Sequence, residues 1–227
     1  MNLTLKESLV TRSRVFSPWT AFYFLQSLLI NLGLGYPFSL LYTAAFTAIL
    51  LLLWRTLPRV QKVLVGVSSL VAACYFPFAQ AYGAPNFNTL LALHSTNMEE
   101  STEILTIFPW YSYLVGIFIF ALGVIAIRRK KESEKARWNT FDSLCLVFSV
   151  ATFFVAPVQN LAWGGVFKLK DTGYPVFRFA KDVIVNNNEV IEEQERMAKL
   201  SGMKDTWTVT AVKPKYQTYV VVIGESA

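Results

Sequence analysis

Five stretches of mainly apolar residues, separated by short polar or basic segments, dominate the chain up to residue 163. They cover residues 18–34, 37–54, 60–81, 110–127 and 141–163. Each stretch is close to the roughly 20 residues that a helix needs to cross the hydrocarbon core of a bilayer, because a helix rises about 1.5 Å per residue. The pattern therefore predicts five transmembrane helices, of which the first two form a tight hairpin.

Every second loop between these stretches contains lysine or arginine residues. They precede the first stretch, separate the second from the third, and cluster at residues 128–137 between the fourth and the fifth, whereas the loops at 33–37 and 82–109 contain neither. Short loops rich in lysine and arginine remain cytoplasmic. We therefore expect a cytoplasmic N-terminus, and five crossings place everything after about residue 164 outside.

The composition supports a membrane protein. The chain is 54% hydrophobic and 16% charged, whereas soluble domains are about a quarter charged. This composition excludes a soluble enzyme and a disordered tail. A disulfide scaffold is also excluded, because the chain has only two cysteines, Cys74 and Cys145, and both lie in apolar runs. The net charge of +6 comes largely from the basic cluster at 128–137, which is typical of a helix end at the membrane surface and not of a nucleic-acid site.

The second outer loop contains a predicted interfacial helix over about residues 86–106, with Asn86 as its N-cap. Thr96 and Glu100 lie on its polar stripe, one helical turn apart. Two interpretations remain open: the acidic residues form a solvated face, or Thr96 and Glu100 hold a cationic, hydroxyl-rich lipid headgroup at the outer leaflet. The lone histidine, His94, has no second ligand within helical reach, and we interpret it as an interfacial side chain and not a metal ligand.

Residues 165–213 are predicted to bridge the membrane part and a following domain. Pro175 suits the first turn of a helix. An amphipathic segment should follow it, broken near the three asparagines at 186–188, and a charged helix should then extend over 189–200.

Residues 214–227 read as the start of a second domain. Tyr219 to Ile223 form an apolar, mainly β-branched run that is typical of a buried strand in a parallel sheet. Because such a strand needs partners on both sides, we expect a truncated α/β domain here. Glu225 follows the strand, where a carboxylate can bind a cation such as Zn²⁺; the alternative is a mere turn or cap. Ser226 does not match the Gly-x-Ser-x-Gly nucleophile motif.

The expected fold is thus an all-α membrane domain of five transmembrane helices with amphipathic helices on its outer face, ending in the first strand of a truncated α/β periplasmic domain. Residues 1–164 form the membrane domain, residues 165–213 the bridge, and residues 214–227 the strand.

Taken together, these features resemble the membrane-bound phosphoethanolamine transferases, which belong to the alkaline-phosphatase-like superfamily. The likeness rests on the five spans, the outer segment Thr-Asn-Met-Glu-Glu at 96–100, the bridging helix, and the strand Val-Val-Val-Ile-Gly-Glu-Ser at 220–226. Within that family it is nearest to members that modify osmoregulated periplasmic glucans at the inner membrane of Gram-negative bacteria.

The resemblance implies roles for particular residues. Glu225 matches the family's acidic zinc ligand, and Thr96 and Glu100 match the residues that bind the donor, phosphatidylethanolamine. The family's asparagine one turn before that threonine is replaced by Ala92, so that Asn88 or Asn97 would have to substitute.

The resemblance also implies which parts of the catalytic centre this chain lacks. The family's nucleophilic threonine lies well downstream of the first strand, and we expect it beyond Ala227, as we do the other zinc ligands. The chain up to Ala227 should therefore contain no catalytic residue and should be inactive alone.

The implied activity is transfer of phosphoethanolamine to a periplasmic glycan, with lipid A or core lipopolysaccharide as alternative acceptors. A second alternative is a non-enzymatic transporter or sensor subunit. Transporters place ionisable residues within their spans, and the predicted spans are nearly free of them. A threonine with clustered aspartate and histidine residues beyond Ala227 would favour the enzyme.

Overall fold

The computed structural model describes residues 17–129, 138–168 and 171–203, without the side chains at 98, 99 and 101. These described ranges contain eight helices and no strand: α1 (Pro18–Gly33), α2 (Leu40–Thr56), α3 (Pro58–Tyr82), α4 (Phe87–Ser95), α5 (Met98–Ile107), α6 (Trp110–Arg128), α7 (Thr140–Ala162) and α8 (Pro175–Ser201).

The chain divides into two compact units, residues 1–190 and 191–227. The first unit contains α1 to α7 and the greater part of α8, together with the hydrophobic core. Of the second unit, the structure describes only the last turns of α8 and the two residues that follow.

The predicted strand, Glu225 and the final residue Ala227 lie outside the described residues. The expectation that the nucleophile follows Ala227 therefore stays a prediction.

Short polar side chains start several of these helices. The Asn86 side chain accepts a hydrogen bond from the backbone N–H of Thr89 and caps α4, as predicted from the sequence. Asn139 and Asp142 form a reciprocal capping box at the start of α7. Such caps satisfy backbone N–H groups that have no partner within the first helical turn.

Aromatic and basic residues at one end of the first unit show that the long helices alternate in direction. The guanidinium of Arg129, which follows α6, lies 4.1 Å from the ring centre of Trp19 at the start of α1. It also lies 4.4 Å from the ring centre of Trp54 at the end of α2. The Gln61 side-chain amide, in the first turn of α3, donates to the Tyr23 hydroxyl at 3.2 Å. Helix starts and helix ends therefore meet at this end, which we call the basic end.

An ion pair joins α2 and α7 at the same basic end. Arg55 Nη1 lies 2.5 Å from Asp142 Oδ1, and it also donates to Asn139 Oδ1 at 3.2 Å. The Asp142 side chain is only 3% exposed. Because an isolated buried carboxylate is costly, this pair both neutralises Asp142 and fixes the register of the two helices.

Small residues bring α3 and α6 into close contact. A Cβ atom at Gly116 would lie 2.7 Å from the Ala73 carbonyl oxygen, and one at Gly123 would lie 2.6 Å from the Ser69 Cβ. Glycine at these two positions of α6 therefore lets its backbone approach α3, which is the usual way that membrane helices gain packing energy.

Polar side chains buried within the apolar stretches link the helices further. The Gln26 amide donates to the Ser69 hydroxyl at 3.0 Å, between α1 and α3, and the Asn31 amide donates to the Thr43 hydroxyl at 2.9 Å, between α1 and α2. The apolar pattern of the sequence does not reveal these pairs, because their partners are far apart along the chain.

Three of the described helices are long and apolar enough to cross a membrane, namely α3, α6 and α7. They confirm three of the five predicted spans. The other two positions are also helical, but α1 has 16 residues and α2 has 17. Helices of this length extend about 24–26 Å, less than the roughly 30 Å of a hydrocarbon core.

The structure corrects two sequence expectations. The single interfacial helix predicted over 86–106 is two helices, α4 and α5, which are separated at Thr96 and Asn97. The break predicted at residues 186–188 does not occur, because α8 continues through all three asparagines. Two of these asparagines have tertiary partners, described below, that outweigh the low helix propensity of asparagine.

Asp142→Ala should lower the free energy of unfolding by about 3 kcal/mol, because it leaves Arg55 without its carboxylate and removes a helix cap. Thermal unfolding of the detergent-solubilised protein measures the change. Glu195→Ala, which removes an exposed carboxylate from α8, is the control. Equal unfolding midpoints for Asp142→Ala and the wild type would contradict the structural role of the pair.

Candidate functional site

The segment that joins α4 to α5 contains the two residues predicted to bind a lipid headgroup. Thr96 ends α4: its backbone N–H and its hydroxyl both donate to the Ala92 carbonyl, and its backbone is extended. Asn97 begins α5, where its side-chain oxygen accepts from the Glu100 N–H at 2.9 Å. Thr96 and Glu100 therefore belong to different helices and do not share one helical stripe.

Glu100 has a structural partner of its own. Its carboxylate accepts a hydrogen bond from the Asn97 backbone N–H at 3.3 Å, which completes the capping box of α5. The sequence pattern Asn-x-x-Glu is a known signature of a helix start, and it indicates the break at Asn97 that the helical periodicity alone does not show. The Glu100 side chain remains exposed, so capping leaves part of the carboxylate open to solvent.

A cavity of about 660 Å³ lies between α3, α4, α5 and α8. Most of its wall is apolar, from aromatic side chains of α3 and α8 and aliphatic side chains of α4 and α5. Four short polar residues also line it: Asn86, Asn88, Thr89 and Thr96. Of the two predicted headgroup ligands, Thr96 lines this cavity and Glu100 does not.

Contacts between aromatic rings fix the aromatic side chains of the cavity wall in place. The rings of Tyr75 and Phe179 meet edge to face with centres 4.9 Å apart, and Phe78 packs in the same way on Phe108. The Tyr75 hydroxyl donates to the Gly83 carbonyl at 2.9 Å. Since its hydroxyl is satisfied there, Tyr75 presents an apolar ring face to the cavity.

Ala92 also lines the cavity, together with Asn88 one turn earlier and Thr96 one turn later. These three residues form one stripe along α4. Of the two asparagines that could replace the family's residue at position 92, Asn97 is the N-cap of α5. Asn88 is the one that lines the same cavity as Thr96.

Two asparagines of α8 contact the residues around α4. The Asn187 side-chain oxygen lies 2.8 Å from His94 Nε2. The Asn186 amide donates to the Pro85 carbonyl at 3.5 Å and to the Asp182 carbonyl at 2.6 Å. These bonds explain why α8 is continuous here. The exposed His94 takes part in a hydrogen bond between α4 and α8.

Polar groups also fix the first half of α8. The Tyr36 hydroxyl donates to Asp182 at 2.8 Å, and the Arg178 guanidinium lies 4.7 Å from the centre of the Tyr36 ring. Burial, reinforced by the hydrogen bond to Asp182, raises the pKa of the Tyr36 phenol. Next to Tyr36, Gly35 has a φ of 80°, and a side chain there would overlap the backbone of Gly83.

The start of α8 is attached to α7. The Tyr174 hydroxyl donates to the Ser149 carbonyl at 2.9 Å, and burial raises the pKa of Tyr174 to about 12. Tyr174 therefore stays neutral and bonded at physiological pH. Together with the contacts of Tyr36 and Asn187, this bond positions the α8 side of the cavity wall.

The described part of the chain contains no group of three or more histidine, cysteine, aspartate or glutamate residues that could hold a metal ion. The predicted zinc ligand, Glu225, lies outside the described residues, as noted above, and the other ligands are predicted to follow Ala227. The zinc site thus stays a prediction.

Helices that can cross a membrane, and an apolar cavity at the end of one of them, define the class of this chain as a helical membrane protein. The chain is 99% identical over all its 227 residues to phosphoethanolamine transferase OpgE of Escherichia coli K12. It is also 23% identical, over 159 residues, to a putative phosphoethanolamine transferase of Haemophilus influenzae. Over its whole length, the chain is thus nearly identical to the N-terminal part of a phosphoethanolamine transferase.

These alignments cover the whole chain in the first case and 70% of it in the second, but only 43% and 29% of the two relatives. The chain thus spans less than half the length of the curated relatives that it matches. No family model and no solved structure matches it.

Proposed function

We propose that this chain is the membrane anchor and donor-binding part of a transferase that moves phosphoethanolamine from phosphatidylethanolamine to a periplasmic glycan, with osmoregulated periplasmic glucan as the favoured acceptor. The observation that carries this proposal is the 99% identity to a phosphoethanolamine transferase. The helices α3, α6 and α7 support it, because a donor that resides in a membrane is best reached from the membrane.

The proposed topology has five crossings, with the basic end in the cytoplasm of a Gram-negative cell. The alternating directions of α1, α2, α3, α6 and α7 support five crossings. Short helices such as α1 and α2 can be accommodated by local thinning of the bilayer. Exposed tryptophans near the opposite end, Trp110 and Trp163, are typical of a membrane–water interface.

Labelling with a membrane-impermeant thiol reagent tests this topology. In a background with Cys74→Ser and Cys145→Ser, reagent outside spheroplasts should modify Ser95→Cys and Phe38→Cys, and should modify Lys131→Cys only after permeabilisation. The first and third positions test orientation, and Phe38→Cys tests whether α1 and α2 both cross. Modification of Lys131→Cys in intact spheroplasts would contradict the orientation, and protection of Phe38→Cys would contradict five crossings.

The donor headgroup is proposed to bind between Thr96 and Glu100. Thr96 lines the cavity together with the exposed Asn88 of α4. Glu100 lies four residues further along the chain, in the first turn of α5, with an exposed side chain. A carboxylate offers about four acceptor sites, so the capping bond leaves capacity for an ammonium group. The ethanolamine ammonium is the part of the donor that such a carboxylate attracts.

Glu100→Gln separates this role from capping, because glutamine also completes a capping box. The variant should raise KM for phosphatidylethanolamine about fivefold, the size expected for an exposed ion pair, without changing KM for the acceptor. Transfer by the full-length protein in proteoliposomes measures both constants.

The control is Glu103→Gln, which removes an exposed carboxylate further along α5. It should leave both constants unchanged. Equal effects of Glu100→Gln and Glu103→Gln on the donor would contradict a specific headgroup site.

The catalytic centre is proposed to contain zinc, with Glu225 as one ligand and a nucleophilic threonine beyond Ala227. Zinc at such a centre stabilises the charge that develops on the transferring phosphoryl group. The described residues hold no candidate metal cluster. In the proposed centre this chain contributes Glu225, and the resemblance implies that the other ligands follow Ala227. The anchoring role of α1 to α8 does not depend on which metal is used.

Removal of the Glu225 carboxylate should lower the zinc content of the purified full-length protein and abolish transfer, because a tetrahedral site loses a ligand. Atomic absorption of Glu225→Ala and wild-type protein measures the metal, and thermal unfolding shows whether the membrane part remains folded. A full complement of zinc in Glu225→Ala would contradict the assignment.

A further inference from the structure

The cavity described above is built on the end of a candidate membrane span. Tyr75, Phe78 and Tyr82 belong to the last two turns of α3, and all three line it. Helix α3 is long and apolar enough to cross a bilayer. In the proposed topology its last turns would lie where the hydrocarbon core meets the headgroups, and phospholipid chains would surround the cavity.

The side chains that line the cavity suit a hydrocarbon chain. None of the described residues that form its wall is aspartate, glutamate, lysine, arginine or histidine. A charged soluble ligand would find no counter-ion there, and burying it would be costly. Leu93 and Leu105 line the cavity and are also largely exposed on the outer surface of the protein. The apolar wall is thus continuous with exposed apolar surface of the protein.

The cavity is large enough for a ligand of considerable size. Its volume of about 660 Å³ lies within the range of about 300–1,000 Å³ that is typical of ligand pockets. Asn88 and Thr96, on one stripe of α4, provide polar groups that can meet the glycerol end of an acyl chain. Ala92 lies between them and leaves space that a larger side chain would fill.

We propose that this cavity binds one acyl chain of the donor phospholipid, with the chain against the aromatic wall of Tyr75, Phe78 and Phe179 and the glycerol towards Thr96. This inference rests on the proposed function, and it extends that function from the headgroup to the tail. It makes the protein selective for a diacyl donor, because a headgroup compound without chains gains nothing from the cavity.

Photo-crosslinking tests occupancy independently of activity. The full-length protein is placed in vesicles that contain phosphatidylethanolamine with a diazirine on one acyl chain, and cross-linked peptides are mapped. Labels should concentrate on the cavity segments of α3, α4 and α8. Ala92→Phe should reduce them about tenfold, as expected when an aromatic ring displaces about two methylene groups.

Two variants control for folding and for local bulk. Ala92→Leu should reduce labelling by less than Ala92→Phe does. Because leucine is smaller than phenylalanine, this variant still tests the cavity if Ala92→Phe disturbs α4. Ser95→Phe adds the same ring to an exposed position of the same helix outside the cavity, and labelling should not change. Labels spread over the lipid-facing surface and insensitive to Ala92→Phe would overturn the proposal.

A second probe identifies the lipid. Phosphatidylglycerol that carries the same diazirine chain should label the cavity less than phosphatidylethanolamine does, because its anionic headgroup is repelled by Glu100. Equal labelling by both lipids would overturn the assignment of the cavity to the donor.

Kinetics separate this inference from the proposed function. Val183→Phe, which adds a ring to the cavity wall one helical turn from Phe179, should raise KM for a long-chain donor about tenfold. It should raise KM for dihexanoyl phosphatidylethanolamine by a much smaller factor, because a six-carbon chain covers less of the aromatic wall. Equal changes for both donors would overturn the tail site. Wild-type protein that transfers from neither donor but is labelled in the cavity would refute the transferase function while leaving the lipid site in place.

Discussion

The close contact between α3 and α6 is the interaction on which the rest of the first unit depends. Two glycines of α6 let its backbone approach Ala73 and Ser69 of α3. In lipid, helices gain little from the hydrophobic effect, so dense packing of this kind must hold them together. Helix α3 also contacts α1 and α2, and its 25 residues extend for about 37 Å. One helix thus joins the basic end to the wall of the cavity.

Polar contacts add specificity to this packing. Hydrogen bonds between side chains of membrane helices contribute only about 0.6 kcal/mol each on average. The pairs formed by Gln26 and by Asn31 therefore select which helices are neighbours more than they stabilise the fold. The pair of Arg55 and Asp142 differs, because loss of one partner would leave a buried charge. Register at the basic end is set by that charge pair.

The candidate donor site lies where helices end. Thr96 terminates α4 and Glu100 belongs to the first turn of α5, so each has both a structural bond and a proposed contact to lipid. Contacts of α8 with Tyr36, Pro85 and His94 hold the opposite wall. A site made from two helix ends and a third helix can recognise headgroup and chain together, because its polar and apolar parts come from different elements.

Composition, apolar runs and capping residues already determine much of this protein from sequence alone. They predict helices at all five apolar stretches, the cap at Asn86 and the start of α8 at Pro175, since these features depend on residues close together in the chain. The break at Asn97 was also encoded locally, in its capping box with Glu100, but periodicity concealed it. Only the tertiary structure decides the continuity of α8 and the cavity beside Thr96. Both arise from contacts between residues distant in sequence, such as His94 with Asn187 and Tyr75 with Phe179, and no local pattern specifies such contacts.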